Sequence, residues 1–85
     1  MLVKAINKTF NNVTFDANGE IRISEPTTPS GYTFLIANPI NYRGIAKGAI
    51  SCVGHYLQGT PNITVTYITV RYIYIKTDDI ETTTE

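Results

Sequence analysis

The chain has a single cysteine, Cys52, among its 85 residues, so no internal disulfide can staple it. Charge is also scarce: 16% of residues are charged, against roughly 25% in an average domain, and seven basic residues balance seven acidic ones. Without a cluster of Lys and Arg there is no electrostatic footprint for nucleic acid or for an anionic membrane surface, and nucleic acid is set aside as a partner. Long apolar runs are missing too. Residues 1–10 hold Lys4, Asn7 and Lys8 among a few apolar side chains, which gives neither the core of a signal peptide nor a membrane span. The expectation is a soluble product made in the cytoplasm or a fragment of a longer protein, with no membrane insertion.

A chain of this length is near the size at which one core only marginally offsets chain entropy, so extra stabilisation is expected. With disulfides excluded, burial against other subunits rises in the ranking. The hydrophobic fraction of 42% argues for a folded domain rather than disorder.

What the sequence does contain is β-branched and aromatic residues in alternation, the pattern of a pleated surface covered on one side, so the fold reads as all-β. Residues 2–6 are either a first strand or a lead-in. Val13-Thr14-Phe15, Asp16-Ala17-Asn18-Gly19 and Ile21-Arg22-Ile23 read as a hairpin, because Asn18-Gly19 tolerates the positive φ of a tight turn. Pro26, Pro29 and Gly31 make residues 24–31 a loop. The apolar run at 32–37 suits a strand buried on both faces, or one lying between a core and a neighbouring subunit, and Asn38-Pro39 is expected to end it.

Residues 40–48 have no clean period and read as a connection, with room for one helical turn around Ile45-Ala46-Lys47. Residues 49–57 regain strand character, with Ile50, Cys52, Gly54 and Tyr56 on one face and Ser51, Val53, His55 and Leu57 on the other; Gly59, Pro61 and Asn62 then turn the chain. The stretch 63–75 has neither Gly nor Pro, and its apolar parity changes at Tyr67-Ile68. A phase change inside a strand requires a bulge, a bend or a tight turn, since otherwise the core set would flip to solvent; a bend or bulge is favoured. This last strand is apolar on both sides, hence central or covered by a partner. Residues 77–85 are polar and acidic and read as a flexible tail.

Candidates for chemistry are few. His55 and Cys52 lack further ligands at metal-binding spacing, so no metal site and no cofactor is expected. On one strand, residues three apart point to opposite faces, which argues against a Cys-His dyad. Asp16, Glu20 and Glu25 fall at turns or strand edges, where solvated charge explains them better than a hydrolytic pair. The run Asp16-Ala17-Asn18-Gly19-Glu20 opens like a calcium loop but lacks the remaining ligands. Asn-x-Thr sequons at Asn7, Asn12 and Asn62 have meaning only in a secretory pathway.

Of six tyrosines, Tyr42 alone lies in an irregular segment, beside Asn41 and Arg43, where no core requirement explains it. Asn41, Tyr42 and Arg43, with Tyr56 as a fourth, are therefore the candidate ligand contacts. They suit a carbohydrate or protein surface recognised by aromatic faces and planar polar groups. No catalytic set can be assembled, so the chain reads as a non-enzyme.

The succession Phe15-Asp16-Ala17-Asn18-Gly19-Glu20-Ile21-Arg22-Ile23, the loop ending Ser30-Gly31-Tyr32-Thr33, and the closing Ile68-Thr69-Val70-Arg71-Tyr72-Ile73-Tyr74-Ile75-Lys76 carry a resemblance in their order and spacing. Together they resemble the C-terminal receptor-binding head domains of tail-fibre proteins from phages and prophages of gut bacteria, over residues 13–76. The resemblance implies a small antiparallel β-sandwich, jelly-roll-like and trimeric, at the fibre tip of a virion made in a bacterial host. Its implied partner is a bacterial surface glycan or protein. On this reading residues 1–12 are a lead-in strand or linker, 13–76 the head domain and 77–85 the tail; that polar tail departs from the family pattern, in which the last strand ends the chain. The rival reading is a purely structural assembly or decoration module with no ligand.

Overall fold

The computed structural model describes residues 2–44, 50–53 and 55–85. It is all-β: strands β1 (Val3–Thr14), β2 (Glu20–Arg22), β3 (Tyr32–Gly44), β4 (Ser51–Val53), β5 (Tyr56–Gln58) and β6 (Thr64–Lys76) are followed by a 3₁₀ turn, Thr77–Asp79. A long antiparallel sheet has the order β1-β6-β3 and a short one the order β2-β5-β4. β6 takes the centre of the long sheet because its β-branched and aromatic residues suit a pleat and no proline removes a donor. β3, which contains Pro39, lies at an edge, where one side of the backbone needs no ladder.

One hydrophobic cluster joins the two sheets. Ile68, Val70, Tyr72 and Tyr74 of β6 meet Leu57 of β5, Ile23 after β2, and Val13 and Phe15 at the end of β1. The buried set in β6 changes parity between Val65 and Ile68, inside an unbroken strand, where the sequence requires a bend or bulge. β1 changes with it: Ile6, Lys8 and Phe10 are half-buried, then Val13 and Phe15 are buried. The register stays in step, Asn11 opposite Tyr67 and Val13 opposite Val65, while Asn12 between them has φ +53°. The bend is thus carried by two paired strands together, with asparagine, a residue that tolerates the left-handed region, at the pivot.

Several expectations need correction. The turn at Asp16-Ala17-Asn18-Gly19 forms: the Gly19 amide donates to the Asp16 carbonyl at 3.0 Å, and Asp16 Oδ1 accepts from the Asn18 and Glu20 amides at 2.8 and 3.0 Å. Its flanks do not continue as a hairpin, because β1 pairs with β6 while β2 is captured by β5, helped by the Gly59 amide donating to the Gly19 carbonyl at 2.7 Å. Asn38-Pro39 does not end β3, which runs to Gly44 through register irregularities between Phe34 and Ile36 and between Pro39 and Asn41. Nor is the run at 32–37 buried on both faces of this chain: Phe34, Leu35 and Ile36 are 41%, 61% and 47% exposed.

The single strand expected at 49–57 is two antiparallel strands, β4 and β5, with Val53 opposite Tyr56. Reversing direction reverses the face assignment, so Cys52 pairs with buried Leu57, and Tyr56 turns outward with Val53. The positions expected to form a helical turn, 45–47, and Gly54 lie outside the described residues. β1 runs unbroken through the boundary set at residue 13. The start of the expected tail folds back, with the Thr77 amide donating to the Gly31 carbonyl at 2.9 Å and the Leu2 amide to Asp79 Oδ2 at 2.9 Å.

Gly19 (φ +77°) and Gly31 (φ +80°) separate backbone strain from crowding. A Cβ on Gly19 would lie 2.3 Å from the Gly59 carbonyl oxygen, whereas one on Gly31 meets nothing within 4 Å. Gly31→Ala is expected to cost about 1 kcal/mol from φ alone, and Gly19→Ala about 3 kcal/mol or more, read from urea midpoints. Equal losses would mean that the Gly19–Gly59 approach does not hold in solution.

Tyr72 and Tyr74 are both 1% exposed, under the Phe34 ring at centroid distances of 6.4 and 5.8 Å. The Tyr72 hydroxyl has no hydrogen-bond partner among the described residues. Desolvation, then the proximity of Cys52 and Tyr74, pushes the Tyr72 phenol up to about 12. Because the folded value lies above the unfolded one of about 10, this stabilisation is complete below pH ~10 and is lost as pH rises from there through about 12. Tyr72→Phe is expected to gain about 1 kcal/mol at neutral pH, by removing an unsatisfied buried hydroxyl, and to soften the alkaline loss. Chemical denaturation at pH 7 and pH 11 reads both effects, and a destabilised variant at pH 7 would mean that the hydroxyl has a partner.

Candidate ligand-binding face

The four sequence-predicted contacts do not form one site. Asn41 lies opposite Thr69 and Arg43 opposite Tyr67, and directly opposed residues of an antiparallel pair project from the same side of a sheet. Both therefore point away from the core. Tyr42, between them, lies opposite fully buried Ile68 and so faces the inner side, although 40% of it remains exposed at the strand edge. Tyr56 stands on the outer side of the short sheet, with the Arg22 guanidinium 5.9 Å from its ring centroid. Asn41 and Arg43 are brought together; Tyr42 and Tyr56 go elsewhere. Asn41, Tyr42 and Arg43 also sit in a strand, β3, rather than in the expected irregular connection.

The outer face that takes Asn41 and Arg43 has a regular composition. Register puts Asn7, Arg71 and Asn38 in one row, Thr9, Thr69 and Asn41 in the next, and Asn11, Tyr67 and Arg43 in a third. All nine are exposed or half-exposed. Hydrogen bonds confirm the shared face: Thr9 Oγ1 and Thr69 Oγ1 are 2.8 Å apart, Arg71 Nε donates to Asn7 Oδ1 at 3.4 Å, and Asn41 Nδ2 donates to Tyr67 Oη at 3.4 Å. Strand spacing of about 4.8 Å and a same-face repeat of about 6.6 Å make this a lattice of amides, hydroxyls, guanidinia and one phenol ring.

The same face turns apolar toward the Lys76 end, where Ala5, Ile73 and Ile36 form one row and Val3, Ile75 and Thr33 the next. There the chain after the 3₁₀ turn covers it: Ile80 and Asp79 border Ile75, Thr33 and Leu35 around a shallow cavity of about 430 Å³. A larger groove of about 570 Å³ runs between β1 and the β2 region, from Thr9, Phe10 and Val13 to Ile21 and Ser24.

The remaining reactive groups are dispersed. Cys52 points inward beside Leu57, and burial pushes its thiol up, away from the thiolate that nucleophilic work requires. The His55 ring lies on the turn before β5 and is mostly exposed, with Nδ1 in contact with Glu25 Oε1. This contact ties the proline-rich loop to the β5 end of the short sheet, where the Ile23 amide also donates to the His55 carbonyl at 2.9 Å. Among the described residues no three His, Cys, Asp or Glu side chains are grouped to hold a metal ion, and no helix is long and apolar enough to cross a membrane.

Sequence reasoning missed Asn7, Asn11, Asn38, Tyr67 and Arg71. A signal was present for most of them: Asn7-x-Thr9-x-Asn11 and Tyr67-x-Thr69-x-Arg71 each repeat polar-capable residues at period two. No family model matches the chain, and no curated protein or solved structure matches it.

Proposed function

We propose that this domain is a non-enzymatic receptor-binding head of the phage tail-fibre type, and that it adheres through the outer face of its long sheet to a bacterial surface glycan or protein. The observation that carries the reading is the three-row lattice. Planar amides and guanidinia can both donate to and orient sugar hydroxyls, and the Tyr67 ring offers an apolar platform beside them. The two antiparallel sheets joined by one core support a sandwich of jelly-roll type. On this reading the domain works at the fibre tip of a virion assembled in the bacterial cytoplasm.

A homotrimer is the assembly we propose, and it is supported by apolar surface that one chain leaves uncovered. Leu35, Ile36 and Ile40 along β3 and Leu2 and Val3 at the start of the chain are 42% to 61% exposed. Covering them would provide the burial that a disulfide-free chain of 85 residues otherwise lacks. The same surface favours a second reading, a structural assembly or decoration module whose outer face has no ligand.

Binding to a glycan array separates the two. The head reading expects selective retention, weakened about tenfold by Asn41→Ala and by Tyr67→Ala, each about 1.4 kcal/mol of binding energy, with folding stability changed by no more than about 0.5 kcal/mol. Light scattering at several concentrations should give three times the 9.4 kDa chain mass. A trimer that retains no glycan and no bacterial surface protein selects the structural module, and a well-folded monomer removes the fibre-head reading.

A further inference from the structure

We propose that the outer face selects acidic saccharides, carboxylated or sulfated, with Arg71 in the middle of the first row and Arg43 at the β3 end of the third as two anion anchors. This rests on the reading of that face as a glycan-binding surface and names the class of glycan. The chain as a whole is neutral, but its charges are sorted by surface. Arg71 and Arg43 are the only formally charged side chains in the three rows, and no carboxylate shares those rows. Glu25 is occupied by His55, Asp16 accepts amides within its own turn, and Asp79 lies past the apolar end of the sheet.

The other basic residues of the described strands lie away from these rows, Lys76 at the far end of β6 opposite Tyr32 and three others with contacts of their own. Lys8 Nζ donates to the Ser24 carbonyl at 2.6 Å, Lys4 lies 5.1 Å from the Tyr32 ring centroid, and Arg22 covers Tyr56. Neither Arg71 nor Arg43 meets a carboxylate among the described residues. A guanidinium spends little of its donor capacity on one amide: Arg71 uses Nε toward Asn7, which leaves its two terminal nitrogens as a fork for a carboxylate or sulfate. The bond to Asn7 also limits how the fork can swing, so less ordering is required when an anion arrives.

Neighbours supply what a charged sugar carries besides its acid. Asn41, whose Nδ2 donates to Tyr67, keeps its carbonyl oxygen for a sugar hydroxyl, and Asn38 flanks Arg71 on the side away from Asn7. Arg43 stands opposite Tyr67, and Tyr67 is four residues from Arg71 along β6, about 13 Å at the rise of a strand. Two anchors whose backbones are about 14 Å apart match a chain that repeats its acid groups better than they match a single monosaccharide. A solvated charged face needs no such arrangement, and it would tolerate a carboxylate beside either arginine.

The test uses the whole chain and a panel of acidic oligosaccharides: oligogalacturonate, oligosialic acid and a sulfated heparin fragment. Each is paired with its uncharged counterpart, the methyl ester or desulfated form, and affinity is read by calorimetry. At least one acidic form is expected to bind about tenfold more tightly than its neutral partner, with the difference shrinking as salt is raised. Arg71→Gln and Arg43→Gln should each reduce that ratio, and the double variant should bring it to about one while the melting temperature holds. Neutral forms that bind as well as acidic ones, or variants that keep the preference, would overturn the inference and leave glycan binding standing. No retention of any oligosaccharide, charged or neutral, would remove the reading it rests on. Single-stranded DNA that competes as well as the best oligosaccharide would show a general polyanion surface and also overturn it.

Discussion

The pairing of β6 on both of its edges is the constraint on which the rest of the molecule depends. Thr64–Lys76 gives one row of backbone groups to β1 and the other to β3, and its inward side chains form the floor of the core. Only a segment free of proline and glycine could serve two ladders over that length. Once it is central, β1 and β3 must be edges, the short sheet must close the remaining side of Ile68 and Val70, and the outward residues of all three strands fall into common rows. The polar face therefore follows from how β6 is paired, with no loop dedicated to recognition.

The sequence carried the strand class, the turn chemistry and the central place of β6, because each rests on local rules: period-two alternation, an Asn-Gly turn, and an apolar run with no breaker. It also carried the change of phase near Tyr67, since parity can be read without knowing the fold. What it could not carry was partner choice. β2 leaves β1 for β5 through contacts about forty residues away, among them the Gly59 amide, and nothing in residues 13–23 announces that. Three-residue strands such as β4 and β5 are too short to show a period, so their reversal reads as one strand and puts Tyr56 on the face of Cys52 instead of that of Val53.

The candidate site was legible in part for the same reason. Tyr42 and Arg43 stand out as residues without a core to serve, with Asn41 beside them, and Arg43 and Asn41 do lie on the open face. Tyr42 does not, because the segment is a strand, in which neighbours point to opposite sides, and Tyr42 falls opposite buried Ile68. The spacing of Asn38, Asn41 and Arg43 is broken by the irregularity between Pro39 and Asn41, so a strict alternation would have put Asn38 and Asn41 on different faces.

The same irregularity has an effect on how chains can meet. An exposed edge strand of thirteen residues is ordinarily a template onto which further strands can add without limit. In β3 that template is interrupted by register breaks after Phe34, Pro39 and Arg43 and by the missing amide hydrogen of Pro39 itself. Backbone-to-backbone growth into an endless cross-β ribbon is thereby discouraged, while the apolar side chains beside the breaks remain free to interlock. Contacts made by side-chain shape can close on themselves after a few copies, so the features that spoil the edge as a seed for aggregation leave it fit for an assembly of fixed number.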